Sequence, residues 1–163
     1  MKTAMRKYEF TGETKTLCDG TVLHRIRAMI DIDLGWRVVK AGELGGWLEK
    51  ETNLSHFGQC WVYGNAEVWG DARIYGDAEV WGNARVYDYA KIFGNAEVYH
   101  DAKVFGYAKI WGNAIVWGNA EVCGDAKVCG RAMVCGNAEV YGDAKIGGDE
   151  IVHGINHIAD DAF

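Results

Sequence analysis

From residue 64 to residue 147 the chain repeats one six-residue pattern of turn, apolar and polar positions fourteen times. The third position of each hexad is always Ala and the fifth is always Val or Ile, as in GNAEVW and GDARIY. These two side chains point to the same side of a strand, whereas the fourth and sixth positions point the other way. Gly opens twelve hexads, and Asn or Asp often follows it, which is turn chemistry. Each hexad is therefore predicted to be a short strand followed by a corner.

Strands this short are not stable alone, so the hexads are expected to stack into coils that bury the Ala and Val/Ile columns. The period of two and the recurring Gly exclude an α-helix. We predict an all-β fold, a triangular solenoid of hexapeptide repeats, over residues 52–153. Residues 1–51, with strands over 22–32 and 36–40, are predicted to form an N-terminal β cap. Residues 154–163 are predicted to be a C-terminal cap or tail.

The repeated run resembles the hexapeptide-repeat, left-handed parallel β-helix superfamily, which includes trimeric acyltransferases. The stretch AGELGGWLEKETNLS at residues 41–55 leads into QCWVYGNAEVWG at residues 59–70. These stretches are most similar to an uncharacterised bacterial and prophage-borne subgroup of that superfamily. The resemblance implies left-handed coils, a trimer and a phage or prophage origin.

Composition and charge limit the cellular location and the classes of ligand that we expect for this chain. The chain has no apolar run near the ~20 residues of a membrane span and no signal-peptide pattern, so we expect neither membrane insertion nor export. Five cysteines without CxxC spacing suit the reducing cytoplasm. A net charge of −6 argues against general nucleic-acid binding.

The outward fourth positions predict the sharpest functional feature. If three hexads make one coil, residues eighteen apart become vertical neighbours, and one such column is basic five times out of five. The column and the aromatic residues beside it are Arg73, Lys91, Lys109, Lys127 and Lys145, with Tyr75, Phe93 and Trp111. Cations beside aromatic rings suit an anionic, ring-containing ligand such as a nucleotide signal. Alternatively, these side chains extend into water or pair with Asp71, Asp125 and Asp143 in the adjoining turns.

The two other outward surfaces have different characters. One mixes Glu with Arg and Lys on successive coils and is expected to be an ordinary solvent face with paired charges. The other has an apolar C-terminal half, a pattern typical of interfaces. We predict that it mediates homo-oligomerisation through Trp81, Tyr99, Ile115, Trp117, Met133, Cys135 and Ile151. The alternative is that the C-terminal tail folds over it.

The sequence contains no clear catalytic motif, so we predict a non-catalytic oligomeric protein that needs no cofactor. It would bind an anionic small molecule or a protein partner, such as a host protein. Enzymes of the resembling superfamily use a His as general base, and His100 with Asp101 forms the one His-Asp pair within the coils. The alternative function is therefore acyl transfer from acetyl-CoA or another acyl-CoA, with His100 as base. The histidine spacing predicts no metal site.

Overall fold

Residues 5–159, which the computed structural model describes, form a β-solenoid whose three parallel sheets make the sides of a prism. The first face consists of β8 (Arg73–Ile74), β11 (Lys91–Ile92), β14 (Lys109–Ile110), β17 (Lys127–Val128) and β20 (Lys145–Ile146). The second face consists of β7 (Glu67–Val68), β10 (Arg85–Val86), β13 (Lys103–Val104), β16 (Glu121–Val122), β19 (Glu139–Tyr141) and β22 (His157–Ala159). The third face consists of β6 (Trp61–Val62), β9 (Glu79–Val80), β12 (Glu97–Val98), β15 (Ile115–Val116), β18 (Met133–Val134) and β21 (Ile151–Val152).

One coil contains eighteen residues. Lys91 pairs in parallel register with Arg73 on one side and with Lys109 on the other, and the remaining coils repeat this offset. All fourteen repeat alanines point inward and are at most 3% exposed, as are the Val and Ile residues two positions later. The predicted all-β solenoid and its inward columns are confirmed. Left-handed winding stays an expectation from the resemblance.

The corners explain why Gly recurs every six residues. Gly112 has a φ of 73°, and a Cβ added to it would lie 3.0 Å from the backbone nitrogen and oxygen of Gly130. A side chain at this corner is therefore unfavourable both in conformation and in contact. Asp88 and His100 replace the corner Gly and adopt the same conformation, each with a φ of 58°. At Asp88 the carboxylate accepts a hydrogen bond from Gly106 N at 3.1 Å, which links this corner to the backbone of the next coil.

The N-terminal segment extends the second face instead of forming a separate layer. Its strands β1 (Tyr8–Thr16) and β2 (Val22–Ala28) form an antiparallel hairpin, and β5 (Leu44–Leu48) pairs in parallel with β7. A small hairpin of β3 (Ile32–Asp33) and β4 (Val38–Val39) projects from it, and one 3-10 turn spans Glu51–Asn53. The sequence pattern missed β1, whose polar residues lack a buried face over most of its length.

Side chains of this segment bind carbonyl groups that begin the solenoid. In later coils each such carbonyl accepts a hydrogen bond from a backbone N–H of the preceding coil. The first coil has no complete coil before it, so its carbonyl groups need other donors. Lys7 is buried, and its Nζ donates to the carbonyl oxygens of Cys60 at 2.8 Å and Gly58 at 3.3 Å. Burial lowers the pKa of Lys7. These contacts meet the requirement that buried polar groups be paired.

Asn53 has the same role and gives a stability prediction. Its buried Nδ2 donates to Gly70 O at 3.1 Å and Ala72 O at 2.9 Å, while Oδ1 accepts from Lys50 N at 2.9 Å. Asn53→Asp would point a carboxylate oxygen at two carbonyl oxygens, so we expect a loss of about 2–4 kcal/mol in urea unfolding at pH 7. Asn113→Asp is the control, because Asn113 is exposed and, among residues 5–159, its side chain is engaged only at Oδ1, which accepts from Asn95 Nδ2. Equal stability of the two variants would contradict this role.

The division into residues 1–51, 52–153 and 154–163 stays a prediction, and residues 1–4 and 160–163 lie outside the described part of the chain. The described residues, 5–159, contain no helix with the length and hydrophobicity of a membrane span.

Candidate functional site

The basic column on the first face forms no salt bridge with a carboxylate of the described residues. Its five members lie on adjacent strands in register, so each cation faces another cation one coil away. No salt bridge within 4.0 Å joins any of them to a carboxylate of residues 5–159. Like charges in this arrangement destabilise a sheet by a few tenths to ~1 kcal/mol per pair. The column therefore concentrates positive charge that the fold itself leaves uncompensated.

The second face shows that this chain can pair its charges where it carries both signs. Lys103 Nζ lies 2.7 Å from Glu121 Oε1 on the next coil, and Arg85 Nε lies 3.3 Å from Glu67 Oε2 on the preceding one. His157 Nδ1 is 2.9 Å from Glu139 Oε2. The expectation of paired charges along this surface is confirmed, and it sets the first face apart.

A groove of about 640 Å³ runs along the corner beside the basic column. Its lining side chains are Arg73, Lys91, Lys109 and Lys127 on one wall, with Asp71, Tyr89, Tyr107, Asp125 and Asp143 on the other. This volume lies in the range of small-molecule sites. The structure thus brings four of the five predicted cations into one concave surface, whereas Lys145 does not line it. Their role in binding stays a prediction.

The groove is not uniform along the solenoid. At its N-terminal end the one carboxylate, Asp71, is held by Lys50 Nζ at 2.8 Å, and this contact lowers the pKa of Asp71. Toward the C-terminal end, Asp125 and Asp143 stand in the corner opposite Lys127. Positive charge therefore dominates around Arg73, Lys91 and Lys109. The sequence predicted one continuous basic column, but the two carboxylates opposite Lys127 make that end a weaker anion site.

The aromatic residues predicted to bind a ligand stack on one another. Tyr75 and Phe93 have ring centroids 4.9 Å apart, and Phe93 and Trp111 are 5.8 Å apart, with interplanar angles of 2° in both pairs. Each of the other two sixth-position columns forms a similar stack, such as Trp81 on Tyr99 at 4.3 Å. Ring faces inside these stacks are covered by neighbours, which favours a structural role. Tyr75 borders a hollow, together with Thr52, Ser55, Arg73, Ile74 and Lys91.

Sequence reasoning missed Tyr89 and Tyr107, the aromatic side chains that line the groove. They occupy the second position of their hexads, their rings stack at 4.8 Å, and they are 50% and 56% exposed. A signal was present, because DYAKIF and GYAKIW place a bulky ring where twelve other hexads of the run have Asn, Asp or Arg. Both departures fall in the class of hexads that carries the basic column.

The apolar side chains predicted to form an interface on the third face are unequally exposed. Ile151 and Met133 are 60% and 36% exposed, Ile115 and Trp117 are partly buried, and Cys135 is only 8% exposed. The described tail does not cover this surface, because β22 pairs with β19 on the second face. The N-terminal half is partly covered by the β3–β4 hairpin, where Trp36 Nε1 donates to Glu79 Oε1 at 3.2 Å.

Two carboxylates on the third face, Glu79 and Glu97, are vertical neighbours. Burial raises the pKa of both side chains, so ionisation is less favourable in the folded state than in the unfolded one. Folding stability from Glu97 is therefore gained as pH falls through its raised pKa and lost as pH rises.

Glu97→Gln is expected to raise the free energy of unfolding at pH 7 by a few tenths to about 1 kcal/mol, because it removes one of two facing like charges. The gain should shrink as the pH falls through the raised pKa of Glu97, because the wild type then takes up its proton. Thermal unfolding over a series of pH values below 7 measures it. Glu121→Gln, which breaks the ion pair with Lys103, is the control and should give no gain. A destabilised Glu97→Gln protein would contradict the charge argument.

The predicted His100–Asp101 pair is not hydrogen-bonded within the described structure. Asp101 Oδ1 instead accepts from Asn83 Nδ2 at 3.0 Å, and the exposed His100 ring lies edge-on to Tyr99 at 4.9 Å. His100 stands at the corner between the third and second faces, whereas the groove follows the corner between the second and first. A base oriented by Asp101 is thus absent from the described geometry, and the basic column lies elsewhere on the coil.

Other candidate chemistry is sparse. The described cysteines are all free thiols, and Cys123, Cys129 and Cys135 end three different outward columns. Within residues 5–159, no group of three or more His, Cys, Asp or Glu side chains is placed to hold a metal ion.

Comparison with known proteins adds one relative. Over 70 residues the chain is 36% identical to a protein of Escherichia coli (strain K12) named "Uncharacterized acetyltransferase YdcK". The match covers 40% of this chain and 22% of that protein, so the chain matches about a fifth of the relative's length. No family model matches the chain.

The chain is a β-solenoid built of hexapeptide repeats. Its repeat, the parallel stacking of its coils and the relative are consistent with the hexapeptide-repeat β-helix superfamily. The bacterial or prophage subgroup of this solenoid stays a prediction, and the relative's name alone does not carry an activity over to it.

Proposed function

We propose that the solenoid is a non-catalytic binding protein that captures an anionic small molecule in the groove on its first face. The supporting observation is the column of Arg73, Lys91 and Lys109, which has no carboxylate partner in the described chain although the second face pairs its charges. A column of facing cations lowers the stability of the sheet, so folding stability does not explain the presence of the column. An anion bound between these side chains would be held by charge-assisted hydrogen bonds, which are stronger than neutral ones.

The binding test uses inorganic tripolyphosphate as the probe. Isothermal titration at 50 mM and 300 mM NaCl should show saturable binding that weakens strongly with salt, because surface charges are screened. Binding that is absent at low salt would contradict the proposal.

A second candidate function is acyl transfer, and the similarity to a protein named as an acetyltransferase favours it. Acetyl-CoA carries phosphates and a purine ring and could enter the same groove, with His100 as base only if another subunit brings it there. Release of free CoA from acetyl-CoA by the wild type, and loss of this release in His100→Ala, would support the enzyme. Retention of acetyl-CoA without turnover would support the binding protein.

We further propose that the protein forms a homo-oligomer through the third face, with a trimer as the resemblance implies. The exposed Met133 and Ile151 beside Ile115 support it, since apolar surface left to solvent favours association. The cytoplasm of a bacterium, in a host or prophage setting, is the proposed location. Native mass spectrometry of the purified protein reports the number of subunits and any retained small molecule. A monomer at micromolar concentration would contradict self-association.

A further inference from the structure

The tyrosine stack in the groove is short. Tyr89 and Tyr107 lie 4.8 Å apart with rings inclined by 5°, and the same corner position on the next coil is occupied by Asp125. The stack at the third face, in contrast, continues through four rings from Tyr63 to Trp117. The face of Tyr107 toward Asp125 is therefore bordered by a short side chain and opens into the groove. A planar ring placed there would continue the ladder.

Asp125, like Asp143, lacks the contacts that hold three other corner carboxylates of the described chain. Lys50 binds Asp71, Asn83 binds Asp101, and Gln59 N donates to Asp77 at 2.9 Å. Within residues 5–159, no hydrogen bond or salt bridge engages the Asp125 carboxylate. Asp125 lies one coil beyond Tyr107 toward the C-terminus. A planar ring stacked on that side of Tyr107 would lie at the height of Asp125, so the carboxylate would face the edge of the ring. Two carboxylate oxygens can accept two parallel N–H bonds.

We infer that the groove binds a guanine nucleotide, with the base on Tyr107, its donor edge on Asp125, and its phosphates on Lys109 and Lys91. Guanine presents adjacent N1–H and N2–H donors, which match a carboxylate, whereas adenine presents an acceptor at N1 beside its amino group. Lys109 and Lys91 line the wall of the groove that faces the tyrosines. The phosphates would extend along them toward the N-terminal end of the groove, where uncompensated positive charge is greatest. This inference rests on the proposed anion-binding function and names its ligand class.

The test compares GTP, ATP and tripolyphosphate by isothermal titration of the full chain. The wild type should bind GTP about tenfold or more tightly than ATP, a discrimination usual for one bidentate contact. Asp125→Asn should reduce the GTP-to-ATP affinity ratio to near one while tripolyphosphate still binds. Tyr107→Ala should weaken both nucleotides but not tripolyphosphate. Asp149→Asn, the control at an exposed corner carboxylate outside the groove lining, should keep the preference.

The outcomes separate the two proposals. Equal affinity for GTP and ATP in the wild type, or an unchanged ratio in Asp125→Asn, would overturn the guanine assignment and leave anion capture standing if tripolyphosphate binds. Failure of all three probes to bind would overturn both. Circular dichroism of each variant shows whether the solenoid is intact, and Asp125 and Tyr107 are exposed, so their replacement should not unfold it.

Discussion

Replacing Gly58 with alanine is expected to lower the free energy of unfolding by about 3–5 kcal/mol, through backbone strain and overpacking combined. Gly58 has a φ of 70°, and a Cβ there would lie 2.2 Å from the carbonyl oxygen of Gly76. That oxygen also accepts a hydrogen bond from Cys60 N at 3.0 Å, so moving it away would break the ladder between two coils. Urea unfolding followed by circular dichroism measures the loss.

Gly148→Ala is the matched control for this prediction. Its φ of 62° imposes similar backbone strain, but no heavy atom lies within 4 Å of the added Cβ. The control should lose only the ~1–2 kcal/mol of a left-handed conformation. A Gly58→Ala protein as stable as Gly148→Ala would show that close approach between coils does not dictate Gly at the corners.

The double variant Lys91→Glu with Lys109→Glu is expected to weaken tripolyphosphate binding at least 100-fold. Each change removes one cation from the centre of the groove and adds an anion that repels the ligand, and 100-fold corresponds to about 2.7 kcal/mol. Isothermal titration at 50 mM NaCl measures the affinity. The fold should survive, because both side chains point outward and replacing Lys with Glu also relieves repulsion from Arg73 and Lys127.

Arg131→Glu with Lys145→Glu controls for net charge. These exposed residues lie outside the groove lining, and the pair changes the charge by the same amount. Its affinity for tripolyphosphate should fall less than about fivefold, because the loss is then one of long-range charge alone. Equal loss in both double variants would mean that overall charge, not the groove, determines binding.

Most of the solenoid could be predicted because its rule is local and repeated. Ala and Val/Ile two residues apart specify an inward pair, and the corner Gly specifies where the strand ends. The eighteen-residue coil followed from Arg73, Lys91 and Lys109 falling in one class, and the strand register bears it out. The N-terminal cap was harder, because Lys7 and Asn53 bind carbonyl groups that only the assembled first coil presents.

The groove could be predicted only in part. The sequence identified the basic column, but which aromatic residues flank it depends on how the corner turns. Tyr75, Phe93 and Trp111 are sixth-position residues that stack along the edge, whereas Tyr89 and Tyr107 stand in the corner itself. Likewise, the pairing of Asp71 with Lys50 joins residues from the cap and the first coil and has no repeat to reveal it.

Lysine footprinting would test most directly whether the column is the binding site. The protein is treated with an amine-acetylating reagent in the presence and absence of saturating tripolyphosphate, and peptide mass spectrometry gives the extent of modification at each lysine. We expect several-fold protection of Lys91 and Lys109, with little change at Lys145 and at Lys103, which is paired with Glu121. Protection spread evenly over all lysines, or confined to the second face, would contradict the assignment of the groove as the anion site.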